Sequence, residues 1–183
     1  MIEPELENRC LDTFPEWLRT LAADAVELGR VLKADAPESA RRHVAAGLNY
    51  LFKSLDLIPD GIEDLGFMDD AFILRVCASF ALADWPAGRE AAPIVGRLAA
   101  DTKLIEQVLG RDYARLVSYA RSLHKGAARG RSVDEILADE NVRDAFVDEV
   151  VSFAASYAAP GFSRDGKNIV KLQSFLSTKL PPA

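Results

Sequence analysis

Histidine and cysteine are scarce in this chain: two of each in 183 residues. Neither His43 nor His124 has a second histidine or a cysteine at ligand spacing, and Cys10 and Cys77 stand far apart with no paired-cysteine motif. That excludes a sequence-readable zinc site and a disulfide scaffold, and it favours a reducing compartment. An excess of positive charge is also missing. The formal net charge is −6, which argues against a specific nucleic-acid binder, because such proteins need a basic face to neutralise phosphates. No apolar run approaches the roughly 20 residues that span a bilayer. The best candidate, Ala71–Ala83, contains Arg75 and follows Asp69 and Asp70. The opening Met-Ile-Glu-Pro-Glu is acidic where a secretory signal is basic, so the expected location is cytoplasmic. Phosphate-loop, nucleophile-elbow, zinc-protease and dinucleotide fingerprints are all missing as well.

Strand signals are nearly absent, whereas helical periodicity recurs along the chain. Hydrophobic residues make up 49% and charged residues 27%, the composition of a globular domain with a substantial core. Thr13-Phe14-Pro15-Glu16 reads as a helix start, followed by Trp17, Leu18, Leu21, Ala25, Leu28 and Leu32 at three- and four-residue steps. Asp35-Ala36-Pro37-Glu38 opens a second helix, with the stripe Val44, Leu48, Leu51, Phe52 and Leu55. Further on, Pro93 lies near a helix start and Gly110 marks a break within Leu98–Leu123. Ser132 and Glu135 have capping-box spacing, and Asp165 opens the last helix. The prediction is one all-α domain over residues 1–183, an irregular bundle of about six to eight helices. Residues 125–131, basic and glycine-containing, form a candidate internal linker.

Between the second and third helices the period fails. Leu57–Met68 reads as a compact connector whose Ile58, Ile62, Leu65 and Phe67 are apolar enough to anchor it to the core. Residues 54–70 hold six acids and no Lys or Arg. Asp56, Asp60, Asp64, Asp69 and Asp70 supply hard oxygen ligands of the kind Mg²⁺ or Ca²⁺ takes, which makes them candidate metal ligands. Their spacing differs from an EF-hand loop. Asp60 and Asp69 also stand where helix caps are wanted, so capping is the preferred reading for those two, with Gly66 ending a short turn in the left-handed conformation.

The run Tyr50-Leu51-Phe52-Lys53-Ser54-Leu55-Asp56-Leu57-Ile58-Pro59-Asp60, followed by Leu65-Gly66-Phe67-Met68-Asp69-Asp70, resembles the signature of the YkvA-like family, an uncharacterised domain (domain of unknown function 1232). The resemblance covers about residues 45–81. Ser54 replaces the family's usual proline, and Gly61, Glu63 and Asp64 replace apolar positions, which makes this connector more polar. The resemblance implies a helix–loop–helix unit and brings no activity, catalytic residue or cofactor with it.

Two histidines and no visible nucleophile–base pair favour a non-enzymatic interaction or regulatory module, working through a protein partner or self-association. The alternative is a divalent-cation-dependent hydrolase acting on a phosphate-containing substrate through the acidic connector. A third reading, peripheral membrane contact, rests on the small basic run Lys125–Arg131.

Overall fold

The computed structural model describes all of residues 1–183. Ten α-helices account for most of the chain: α1 (Pro4–Val31), α2 (Glu38–Tyr50), α3 (Met68–Asp84), α4 (Gly88–Ala91), α5 (Pro93–Ala100), α6 (Thr102–Leu109), α7 (Asp112–Ser122), α8 (Val133–Ala138), α9 (Glu140–Ser156) and α10 (Gly166–Lys179). Two two-residue strands, β1 (Ala127–Ala128) and β2 (Arg131–Ser132), pair antiparallel between α7 and α8. The fold is therefore all-α. The helices outnumber the six to eight expected because α4 and α8 are short and because Leu98–Leu123 breaks twice. It breaks at Asp101 as well as at Gly110, whose φ of 54° suits glycine.

α1 begins at Pro4, well before the expected start at Thr13, and Pro15 lies inside it. Proline at the first helical position needs no hydrogen-bonded N–H, so Pro4 is the better initiator. Cys10 and Leu11 extend the buried stripe of Phe14, Leu18, Leu21, Ala25 and Leu28 upstream, and that packing outweighs the proline penalty at Pro15. Cys10 is thus a core residue. Both cysteines are free and buried, and burial pushes their thiols up to about 11 (Cys10) and about 12 (Cys77).

α3 occupies the centre. Residues 68–78 are all buried, as are Phe80 and Ala81, so this helix has almost no solvent face. α2 lies along it at close range. A methyl group at Gly47 would stand 3.0 Å from the Cys77 Cβ. One continuous cluster of buried apolar side chains runs from Cys10 on α1 to Leu180 after α10. No helix is long and apolar enough to cross a membrane.

A central helix forces its polar residues inside. Arg75 has no exposed side-chain surface; its guanidinium reaches Asp101 at 2.9 Å and Asp24 at 3.9 Å and lies 4.1 Å from the centre of the Trp17 ring. Arg97 completes the group by pairing with Asp24 at 2.5 Å. This ion-pair network ties α3 to α1 and to the segment between α5 and α6.

Candidate functional site

The basic run expected as a linker folds onto the body. Residues 123–125 make a 3-10 turn, and β1 and β2 are joined through Arg129 and Gly130, both at positive φ as a two-residue hairpin turn requires. Asn49 donates to the Arg131 carbonyl at 3.2 Å. The Arg129 and Arg131 guanidinium groups lie 4.9 and 5.7 Å from the centre of the Phe52 ring, and both pair with Glu149 on α9.

Opposite this hairpin lies the connector, residues 51–67. Leu57, Ile58 and Leu65 are buried, and Ile62 and Phe67 pack partly buried against the core, with Phe67 edge-on to Tyr157 at 5.3 Å. These are the anchors expected of the apolar connector residues. Gly66 serves a close approach instead of a left-handed turn: a methyl group there would overlap the Asp60 carbonyl. The left-handed positions are Asp64 and Phe67, at φ of 64° and 65°.

The connector is pinned from beneath by one hydroxyl and one carboxylate. The Tyr50 hydroxyl donates to Asp69 Oδ2 at 2.6 Å and accepts the Leu57 N–H at 2.8 Å; the Ile58 N–H donates to the same Asp69 oxygen at 3.1 Å. Asp69 is therefore not a helix cap. The chain enters α3 through Phe67, so Asp69 is already helical and its carboxylate reaches across to Tyr50 and Ile58. Asp60 is no cap either. It is exposed within a run of turns and no amide donates to its side chain.

Of the five candidate acids, four converge. Asp56, Asp60, Asp69 and Asp70 lie within electrostatic reach of one another, whereas Asp64 turns away and accepts the Ser163 N–H at 2.7 Å and its hydroxyl at 2.9 Å. Burial raises Asp56 to about 7, helped by the charges of Asp69 and Asp60. Burial also raises Asp69, and raises Asp70 well above the usual carboxylate range, with Asp69 beside it adding to the shift. Asp64, which takes the Ser163 hydrogen bonds, is lowered. Three sealed carboxylate oxygens have no hydrogen-bond partner: Asp56 Oδ1, Asp69 Oδ1 and Asp70 Oδ2. Even so, no three acid, histidine or cysteine side chains come together in a set that could hold a metal ion.

Leu55 was expected in the α2 stripe, but α2 ends at Tyr50 and Leu55 is 80% exposed. It stands at the lip of a cleft of about 610 Å³ between connector and hairpin, whose walls include Leu51, Phe52, Lys53, Asp60 and Arg129. The helical period carried past Tyr50 hid this residue from sequence reasoning. The histidines take structural roles: His43 Nε2 meets Asp84 at 3.1 Å and its ring packs against Phe80, while His124 Nδ1 lies 2.5 Å from the Arg121 carbonyl.

Residues 40–75 match the family model described as "Protein of unknown function (DUF1232)", well under half of the chain. The match takes in α2, the connector and the start of α3, which are the elements that build this site. No curated protein and no solved structure matches the chain.

Proposed function

We propose that this chain is a non-enzymatic interaction or regulatory module, acting in the cytoplasm on a protein partner or a second copy of itself, with the connector as its contact surface. The observation that carries this reading is Leu55. A large apolar side chain is 80% exposed on a loop whose next residues, Leu57 and Ile58, are buried and pinned by Tyr50 and Asp69. A loop fixed in this way presents its exposed leucine in one place, so a partner that covers it need not pay to order the backbone. The hydrolase alternative has the convergence of four acids in its favour. It lacks a set of three donors able to hold an ion.

A photo-crosslinking amino acid placed at position 55 of the full chain, in cells, tests the reading. Position 170 is the control, since Val170 is also exposed, at 55%, but lies on α10. Position 55 is expected to yield a discrete protein adduct and position 170 none. No adduct, or the same pattern from both sites, contradicts the proposal.

A further inference from the structure

Toward the end of α3 away from the connector, roughly 16 Å along the helix from Met68, the chain forms a second cleft of about 550 Å³. The last turns of α3, α4, the facing side of α5 and the start of α6 enclose it, with Leu82, Pro86, Ala99 and Ala100 among its walls. The chain carries a net charge of −6, yet the charged residues here are Arg89 and Lys103, and no acid lines the cleft. Both cations are exposed, and neither makes an ion pair or a side-chain hydrogen bond. The acids nearest in sequence do not answer them. Asp84 meets His43 at 3.1 Å and Asp101 meets Arg75 at 2.9 Å, while Glu90 and Glu106 lie outside the lining and pair with neither cation. The C-terminal ends of α3 and α5 favour cations nearby through their dipoles, but neither side chain donates to a carbonyl there.

Arg89 is held by packing instead of pairing. α4 sits so close to Trp85 that a methyl group at Gly88 would stand 2.6 Å from the indole ring. On α5, Gly96 leaves room for the Arg89 stem, whose Cγ would lie 3.4 Å from a methyl group there. Two glycines thus seat α4 between Trp85 and α5, and they leave the Arg89 guanidinium on the cleft with its donors unused.

We infer that this cleft binds a small amphipathic anion, an organic carboxylate or phosphate ester. Its acidic group meets Arg89 and Lys103, and its short apolar body lies against Leu82, Pro86, Ala99 and Ala100. A guanidinium with unused donors offers either acid a forked partner. The apolar walls give the body area to cover, and the volume falls within the range of about 300–1,000 Å³ usual for small-molecule sites. Two cations in a concave site fall short of the roughly four to eight that an anionic lipid surface recruits.

Residue-resolved chemical-shift titrations of the full chain with octanoate and with octyl phosphate, both below micelle formation, test this; octylammonium, octanol and inorganic phosphate are the controls. At least one of the two anions is expected to bind at least about tenfold more tightly than every control, with shifts centred on residues 79–103. Preference for one of the two anions identifies the acidic group. Arg89→Gln and Lys103→Gln are each expected to weaken binding several-fold and the double variant about tenfold, whereas Arg89→Lys keeps most of the affinity. Raising salt from about 0.05 M to about 0.3 M should weaken it as well. Neither side chain bonds another group, so the variants should melt with wild type; Lys103→Gln carries the test alone if Arg89→Gln does not. Equal binding of octylammonium or octanol would reduce the cleft to an apolar hollow and overturn the inference. No binding of either anion at millimolar concentration, shifts mapping elsewhere, or an unaffected double variant would overturn it too, as would engagement of phosphatidylglycerol vesicles through these residues without binding of either soluble anion. Each of these results leaves the connector surface standing, since the two clefts share no residue.

Discussion

Arg75→Ala is expected to cost about 3–5 kcal/mol of folding stability, the usual penalty for breaking a buried ion pair by removing one partner. The Arg75 side chain is fully buried between Asp101, Asp24 and Trp17, and it also donates to the Ala71 carbonyl at 3.1 Å. Alanine removes all four contacts and leaves a cavity in the central helix. Asp24, 3% exposed, would retain only Arg97 as a partner. Arg75→Met fills most of that volume without restoring the charge, so it should recover part of the loss, about 1–2 kcal/mol of cavity and packing energy. Urea unfolding of the two variants beside wild type measures both effects. A loss under about 1 kcal/mol for Arg75→Ala would mean that the network contributes little beyond its desolvation cost.

Asp70→Asn is expected to stabilise the protein at alkaline pH and to do little at mildly acidic pH. Asp56, Asp69 and Asp70 all have pKa values raised by burial, so the folded state holds their protons more tightly than the unfolded chain does. Stability from that source is fully present below the unfolded value near 4 and declines as pH rises through the folded values, of which Asp56 sits at about 7. Wild type should therefore lose stability between about pH 4 and about pH 8. Asn at position 70 keeps the shape, removes the charge that has no cation beside it, and can donate its amide to neighbouring carboxylates. At about pH 8 a higher melting temperature than wild type is expected, with a flatter pH profile. Thermal melts across that range check it. A variant less stable than wild type at about pH 8 would mean that the Asp70 charge is compensated in the fold after all.

Much of the helical scaffold was legible because local signals suffice for it. Ser132 accepts the Glu135 N–H at 3.1 Å as its capping-box spacing implies, Asp165 caps α10 by accepting from Lys167 at 2.9 Å, and Gly110 breaks the chain. The site was only half legible. The acidic run and its apolar anchors announced a special connector, but which acids face inward is decided by α3. A helix apolar on nearly every face must be central. The uninterrupted run around Phe72, Ile73, Val76 and Phe80 was therefore the signal that Asp69, Asp70 and Arg75 would be buried with it. Asp64 has the same side chain five and six positions before Asp69 and Asp70 and points outward, its carboxylate accepting from Ser163 beside the left-handed turn at its own φ of 64°. Leu55 was misplaced for the complementary reason. Helical spacing persists in sequence for one turn beyond the point where the Lys53 N–H, bonded to the Tyr50 carbonyl, closes the helix in space.

The account stands most directly on the connector being a fixed surface, held from beneath by Tyr50 and Asp69. Residue-resolved amide hydrogen exchange measures that. The N–H groups of Leu57 and Ile58 have no backbone partner; they donate to the Tyr50 hydroxyl and the Asp69 carboxylate instead. Both are therefore expected to exchange orders of magnitude more slowly than the neighbouring amides of Ser54, Leu55 and Asp56, and Tyr50→Phe should release Leu57. Uniformly fast exchange from residue 54 to residue 60, indifferent to Tyr50→Phe, would contradict the account.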